Sequence, residues 1–334
     1  METPHTSFAM LSVLLLCVSG PATAEGSFEG TSTLDYFGYP NCITLENEST
    51  RVVLGTHGGR VLEYSWKGDN AIYLNPEHEG WVYRPGEPTI DPSGGRFDIG
   101  PELVIPSHPD LWLGEWAGEI TGPRRARLTS KVDKPTGTQL VREFELDETT
   151  SRLRSRQIII NVSEETTEWC HWSRTFALGG GICVIPLSEH LNRFPNNYLM
   201  YGPGPVVNFK PEDPNIRVED GHLLITDTPI EPMIAVDTYA GWMAYLMQND
   251  LMFVKRFATY PDRMYNDLAS FTFVVWYFEK QMCELEPIGP KERLEPGEAA
   301  AYTEDWWLLP YDFPVDRDAI DVPGVADLVA QRAH

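Results

Sequence analysis

Apolar and charged residues alternate through residues 126–162 (RARLTSKV, TQLVREFEL, SRLRSRQIIINV). A period of two sends them to opposite faces of extended strands, as a half-solvated antiparallel sheet requires. Residues 51–75 hold three shorter β-rich runs, RVVLG, RVLEYSW and AIYLN, separated by Gly58-Gly59 and by Lys67-Gly68-Asp69-Asn70. Both separators are turn chemistry, so this stretch reads as a meander. Asp220-Gly221 sits between two alternating runs in residues 216–226 and gives the strongest short-range hairpin signal in the chain. Residues 242–247, 251–257 and 270–278 continue the pattern, and helical periodicity is found only at residues 322–332. Residues 77–109 differ from all of these, being dense in proline and glycine, and a long irregular segment in a compact domain is often functional. The pattern predicts an all-β sandwich, mostly antiparallel, with few short helices.

The first residues call for a different reading. An apolar run at residues 11–18 (LSVLLLCV) is too short to span a bilayer, and Ala22-Thr23-Ala24 supplies the small-x-small pattern that signal peptidase accepts. Residues 1–24 are therefore expected to be a signal peptide, with the protein exported to the periplasm or beyond the cell and not inserted in a membrane after cleavage. Glycine and proline, 27 each, are scattered and not gathered into a linker. One sandwich domain is expected over residues 25–312, followed by a tail at 313–334 that can form a short helix. A net charge of −23 repels nucleic acid and anionic membrane, although Arg124, Arg125 and Arg127 could form a local basic cleft. Of the cysteines, Cys42, Cys170, Cys183 and Cys283 follow the leader without CxxC spacing, and two disulfides or free buried thiols are both open.

Three collinear stretches carry a resemblance. NESTRVVLGTHGGRVLEYSWKGDNAIYLN (47–75) has strand, Gly-Gly turn, strand, turn, strand; NVSEETTEWCHWSR (161–174) has an Asn-x-Ser strand followed by His171; CELEP (283–287) and LEPGEAAAYTEDWWLLPY (294–311) have a Leu-Glu pair and an L-x-P-G-E motif. Together these stretches, spanning most of the chain after the leader, resemble the galactose mutarotase-like superfamily of β supersandwiches, which includes the aldose 1-epimerases. The Leu-His-Gly-Gly motif of the epimerases has no match. Instead GGRFDIGPE (94–102) is similar to a poorly characterised, exported bacterial branch of the superfamily.

The resemblance implies a mono- or oligosaccharide ligand, no cofactor, and acid–base chemistry with Glu286 as base and His171 as acid. Mutarotation needs one group to take the anomeric hydroxyl proton and another to protonate the ring oxygen. Glu284 lies two residues from Glu286, on the same strand face, and a neighbouring carboxylate raises a pKa by like-charge repulsion. Alternation puts His171 on the face of Trp169 and Ser173, where an indole beside a polar group suits sugar stacking, and puts Arg174 with Trp172, where a salt-bridge role is the simpler one. Arg96 follows a double glycine and can donate to sugar hydroxyls or, two-pronged, to a carboxylate; Glu102 shares its loop. Each of these also has a plain structural reading as a core aromatic, an edge glutamate or a paired arginine. Two other functions fit the same residues: a glycan-binding module without catalysis, and a polysaccharide lyase acting on uronic acids through Arg96, His171 and Tyr201. No HExxH, EF-hand, P-loop or GxSxG motif is present, and no metal ligand set is expected.

Overall fold

The structure, a computed structural model, describes residues 28–188, 197–202, 206–209, 211–267 and 270–334. The proposed leader at 1–24 lies outside the described residues. Nearly every element is an antiparallel strand, and the strands form two sheets of 13 and 10 strands. The centre of the first sheet runs Arg60–Trp66, Gly95–Gly100, Thr167–Leu178, Met282–Pro287, Phe273–Phe278, Met233–Val236 and Tyr198–Tyr201. The second runs Trp242–Met247, Leu251–Phe257, Ala299–Pro310, Leu153–Asn161, Thr138–Leu146 and Arg125–Thr129. The hairpin Ile216–Glu219 to His222–Ile225 turns on Asp220 and Gly221, both with positive φ (46° and 73°), the backbone that matches strand twist in a two-residue loop.

The sheets pack face to face through one apolar cluster, to which the first sheet gives Phe97, Ile99, Phe273, Val275 and Leu285 and the second gives Tyr245, Phe253, Tyr302 and Trp306. The cysteines Cys42, Cys170, Cys183 and Cys283 are free and buried. Within the sandwich sits a charge pair, Lys255 Nζ to Glu304 Oε2 at 3.2 Å, both side chains wholly buried. Lys255 also donates to Thr175 Oγ1 (2.8 Å) and the Leu285 carbonyl (3.0 Å), and Glu304 accepts from Gln157 Nε2 (2.7 Å) and Trp306 Nε1 (2.8 Å). Burial lowers the lysine pKa to about 8 against the opposing pull of Glu304.

The outer faces of the two sheets differ. That of the second sheet is covered by an α-helix, Val322–Arg332, capped at Asp321, whose Oδ1 accepts from Gly324 N at 3.0 Å. Its Val322, Val325 and Val329 pack on Met252, Val254, Trp307 and Leu309, so the tail is an integral layer of the domain. The outer face of the first sheet carries charge beside a smaller apolar cluster that includes Trp172, Leu199, Tyr265 and Val274.

Candidate functional site

Glycine opens this site. Gly94 has φ +106°, a conformation that L side chains rarely adopt, and a Cβ there would lie 2.9 Å from the Val61 carbonyl. The turn is held from two directions. Buried Arg60 donates to the Ser93 carbonyl (2.8 Å) and to Tyr39 Oη (2.9 Å), and Tyr39 Oη donates to the Trp81 carbonyl (2.6 Å). Arg142, from the second sheet, reaches the Gly95 carbonyl at 2.9 Å. The chain then enters strand Gly95–Gly100, where alternation sends Phe97 and Ile99 inward and Arg96 and Asp98 outward.

Register builds the rest. Arg96 pairs with Arg174 and Asp98 with Trp172 on the adjoining strand. Phe176 pairs with Glu284, and Glu284 with Trp276. The row continues from Trp276 through Met233 to Tyr201. Arg174 Nε bonds Glu284 Oε1 at 2.8 Å, its Nη2 bonds Oε2 at 3.2 Å, and Glu286 Oε2 is 3.8 Å from Nε. The same guanidinium lies 4.4 Å above the Trp172 ring, and Trp172 Nε1 donates to Glu286 Oε2 at 2.5 Å. From the irregular loop, Asp91 ion-pairs with Arg96 Nη1 and lies 3.7 Å from Arg174 Nη2. The Arg96 guanidinium rests on Trp112 (4.8 Å) and Phe176 (5.7 Å), and its Nε, Nη1 and Nη2, all buried, make no well-formed hydrogen bond among the described residues, Nη1 having only the ion pair with Asp91.

The carboxyls on this face are unequal. Burial, then the charge of Glu284, pushes Glu286 well above the usual carboxylate range, against the pull of Arg174 and Trp172. Glu284 is also raised by burial, with Arg174 opposing. Glu284 takes the two-pronged bond from Arg174, which favours its charged form over that of Glu286. Burial would raise Asp91 as well, but Arg96 and Arg174 bring it below its ordinary value. Glu102, exposed at the rim with its backbone N–H on Asp267 Oδ1 (3.1 Å), is raised by partial burial and by Asp267, Asp98 and Asp91. Its solvent exposure makes that rise a modest one. Asp98 accepts from His108 Nε2 at 2.9 Å and, although burial opposes it, holds the imidazole above its usual pKa. Tyr201 is pushed up by burial and by Asp267 and Glu102.

The structure therefore brings together Arg96, Glu102, Arg174, Glu284 and Glu286. It does not bring His171 to them. His171 has the parity expected from alternation, but that parity faces inward: the ring is wholly buried between Phe97 and Tyr302, 5.7 Å from each, on the opposite side of the sheet from Glu286. Burial drops its pKa to about 3, so the ring is uncharged at neutral pH and is not the imidazolium acid that the resemblance implies. Trp169 shares that side and donates to the Thr136 carbonyl at 3.0 Å, away from the charged cluster. Sequence reasoning missed Asp91, Trp276 and the Asp98–His108 pair; the density of proline and glycine around Asp91 and His108 was the available signal for two of these. Among the described residues no group of three His, Cys, Asp or Glu side chains is arranged to hold a metal ion. Surface clefts of about 390 Å³ (around Glu46 and Arg51) and about 350 Å³ (around Arg127 and Glu143) lie elsewhere and include none of the cluster.

A two-sheet antiparallel sandwich with chemistry-bearing residues on one outer face defines the class. The fold is galactose mutarotase-like. Solved structures similar to this chain include a galactose mutarotase-like protein from Lactobacillus casei (TM-score 0.55, 12% identity, covering 80% of this chain and 100% of that one). A galactose mutarotase-like protein from Clostridium acetobutylicum gives TM-score 0.54 at 11% identity, covering 85% of this chain and 99% of the other. A Synechocystis protein gives 0.56 at 16% identity, covering 84% and 98%. The sequence matches no protein-family model and no curated protein.

Proposed function

We propose that this chain is a carbohydrate-active protein of epimerase or mutarotase type, exchanging protons with a sugar ring on the outer face of the first sheet. One observation carries the reading: Glu286 lies buried against the Trp172 N–H and 3.8 Å from Arg174, beside a Glu284–Arg174 ion pair, in surroundings that raise its pKa. A carboxyl moved toward neutrality can give a proton to a sugar oxygen and take it back, where an ordinary glutamate is already ionised. The Trp172 N–H then supports the anion that remains. Glu286 is then the acid instead of the base, and Glu102, exposed at the rim and able to ionise, is the base that takes the anomeric hydroxyl proton, while half-buried Trp112 and Trp276 offer flat surfaces to the C–H face of a pyranose. A second reading, glycan binding without turnover, is favoured by the near-complete burial of Glu284 and Glu286 (0% and 1% exposed), since an acid must touch its substrate. Export through the 1–24 leader completes the proposal, and the secreted chain is expected to begin at Glu25.

Anomeric exchange measured by NMR over a panel of sugars separates the two. The enzyme reading expects faster exchange with the wild-type protein and loss of that acceleration in Glu286→Gln while binding survives. Unchanged exchange with wild type, alongside measurable binding, would leave the binding module.

A further inference from the structure

Arg96 and Arg174 face each other directly across two paired strands. Like charges in that position repel, so the fold has to place an anion between them. It supplies one from outside the sheet: Asp91, carried by the irregular loop, reaches Arg96 Nη1 and lies 3.7 Å from Arg174 Nη2. The Asp91 side chain is 40% exposed while that of Arg96 is 0% exposed, so the anion stands between the guanidiniums and solvent. Its hold on Arg96 is one-pronged. All three Arg96 side-chain nitrogens are buried without a well-formed hydrogen bond, Nη1 having only the ion pair with Asp91, which leaves strong donors desolvated and unused.

We propose that Asp91 is an internal stand-in for a carboxylate on the substrate, and that the site takes an acidic sugar, a uronic acid or its glycoside, whose carboxylate displaces Asp91 from the two arginines. A free carboxylate is not tethered to backbone and can meet the guanidinium fork of Arg96 with both oxygens, filling donors that Asp91 leaves empty. Charge balance selects the same group. Exchanging one monoanion for another leaves the field at Glu284 and Glu286 unchanged; a neutral hydroxyl would leave Arg96 without an anion, since Glu284 is already held by Arg174, and a phosphate dianion would add a charge beside three carboxyls. The Trp112 ring on Arg96 gives the attached pyranose a wall. The inference rests on the sugar-ring reading above and narrows it to one substrate class.

Calorimetric titration tests it, using the free sugars glucuronate and galacturonate, neutral glucose and galactose and their 6-phosphates against wild type and Asp91→Ala. Asp91 is on a half-exposed loop, so an unchanged thermal midpoint checks that the variant folds. Removing an internal competitor frees the site, and uronate affinity is expected to rise about tenfold in Asp91→Ala while neutral sugars change little. Arg96→Lys, which keeps the charge but loses the fork, is expected to lose the uronate preference. Neutral sugars or 6-phosphates binding as well as uronates, or Asp91→Ala weakening uronate binding, would overturn the inference. Accelerated anomeric exchange on neutral sugars alone would overturn it while leaving the proton-exchange reading in place, and binding of no sugar would overturn both.

Discussion

The protein buries two charge clusters on opposite sides of the same sheet, and they are built to opposite ends. Between the sheets, Lys255 and Glu304 face each other at 3.2 Å with flanking polar side chains and a backbone carbonyl completing their hydrogen bonds. On the outer face, Arg174 divides itself between two glutamates, of which Glu286 is pushed well above the usual carboxylate range, and Arg96 has donors left over. A buried ion pair that is fully matched is a structural device, and breaking it is costly because the surviving charge has nowhere to go. A cluster with unequal acids and spare donors contributes less to holding the fold together and is suited to exchanging protons and anions with a visitor.

The comparison breaks first at Lys255. Lys255→Met strands Glu304 and is expected to cost about 3–5 kcal/mol in denaturant unfolding, with much of the loss recovered in a Lys255→Met, Glu304→Gln double variant. Next is Glu286→Gln, which exchanges one neutral side chain for another of the same shape. Because the unfolded wild-type glutamate ionises at pH 7 and glutamine does not, the change should alter stability by less than about 1 kcal/mol near pH 4 and raise it at pH 7. If Glu286 is the proton carrier, the same change removes about 100-fold or more of any accelerated anomeric exchange. A Glu286 variant as unstable as the Lys255 variant would erase the distinction between the two clusters.

Titration sharpens it further. Glu286 has its pKa raised on folding, so the folded chain binds a proton that the unfolded chain has released. Its contribution to stability is full below the ordinary glutamate pKa and is lost as pH rises toward the folded value, at up to about 1.4 kcal/mol per pH unit. Urea unfolding at pH 5 and 7 is expected to show a larger loss for wild type than for Glu286→Gln. His171 has the opposite sign: its pKa falls from 6.5 to about 3, so its contribution is present above pH 6.5 and is lost as pH falls toward 3. His171→Phe should flatten that acid limb. The smallest effect is on activity, where His171→Phe is expected to change exchange rates less than about twofold, because the ring lies beneath the sheet and not on the reacting face.

Alternation made the strands legible, and it gave the parity of His171, Arg174 and Glu286 along them. What it leaves open is which parity faces the other sheet. In a half-solvated sheet, polarity answers that question; in strand Arg60–Trp66 six of seven residues are buried, and strand Met282–Pro287 is buried throughout, because both faces of the first sheet are covered. The resemblance puts His171 on the reacting face, and alternation alone cannot correct it; the structure gives that face to Trp172 and Arg174. The collinear motifs led to the galactose mutarotase-like fold, since turns and strand lengths are local properties. Trp276 has no sequence signal, and Asp91 is marked only by its proline- and glycine-rich loop, because their relation to Arg96 and Glu284 exists only through register and loop closure.

The loop that carries Asp91 is pinned at two points to a single buried arginine, directly at Ser93 and through Tyr39 at Trp81. The stretch between the pins makes no strand and lends little to the core, whereas the sheet beneath it is fixed by the sandwich. Selection can therefore rewrite that stretch without touching the fold, and related chains that differ there while keeping Arg60, Tyr39 and Arg96 would be expected to share one scaffold and differ in diet.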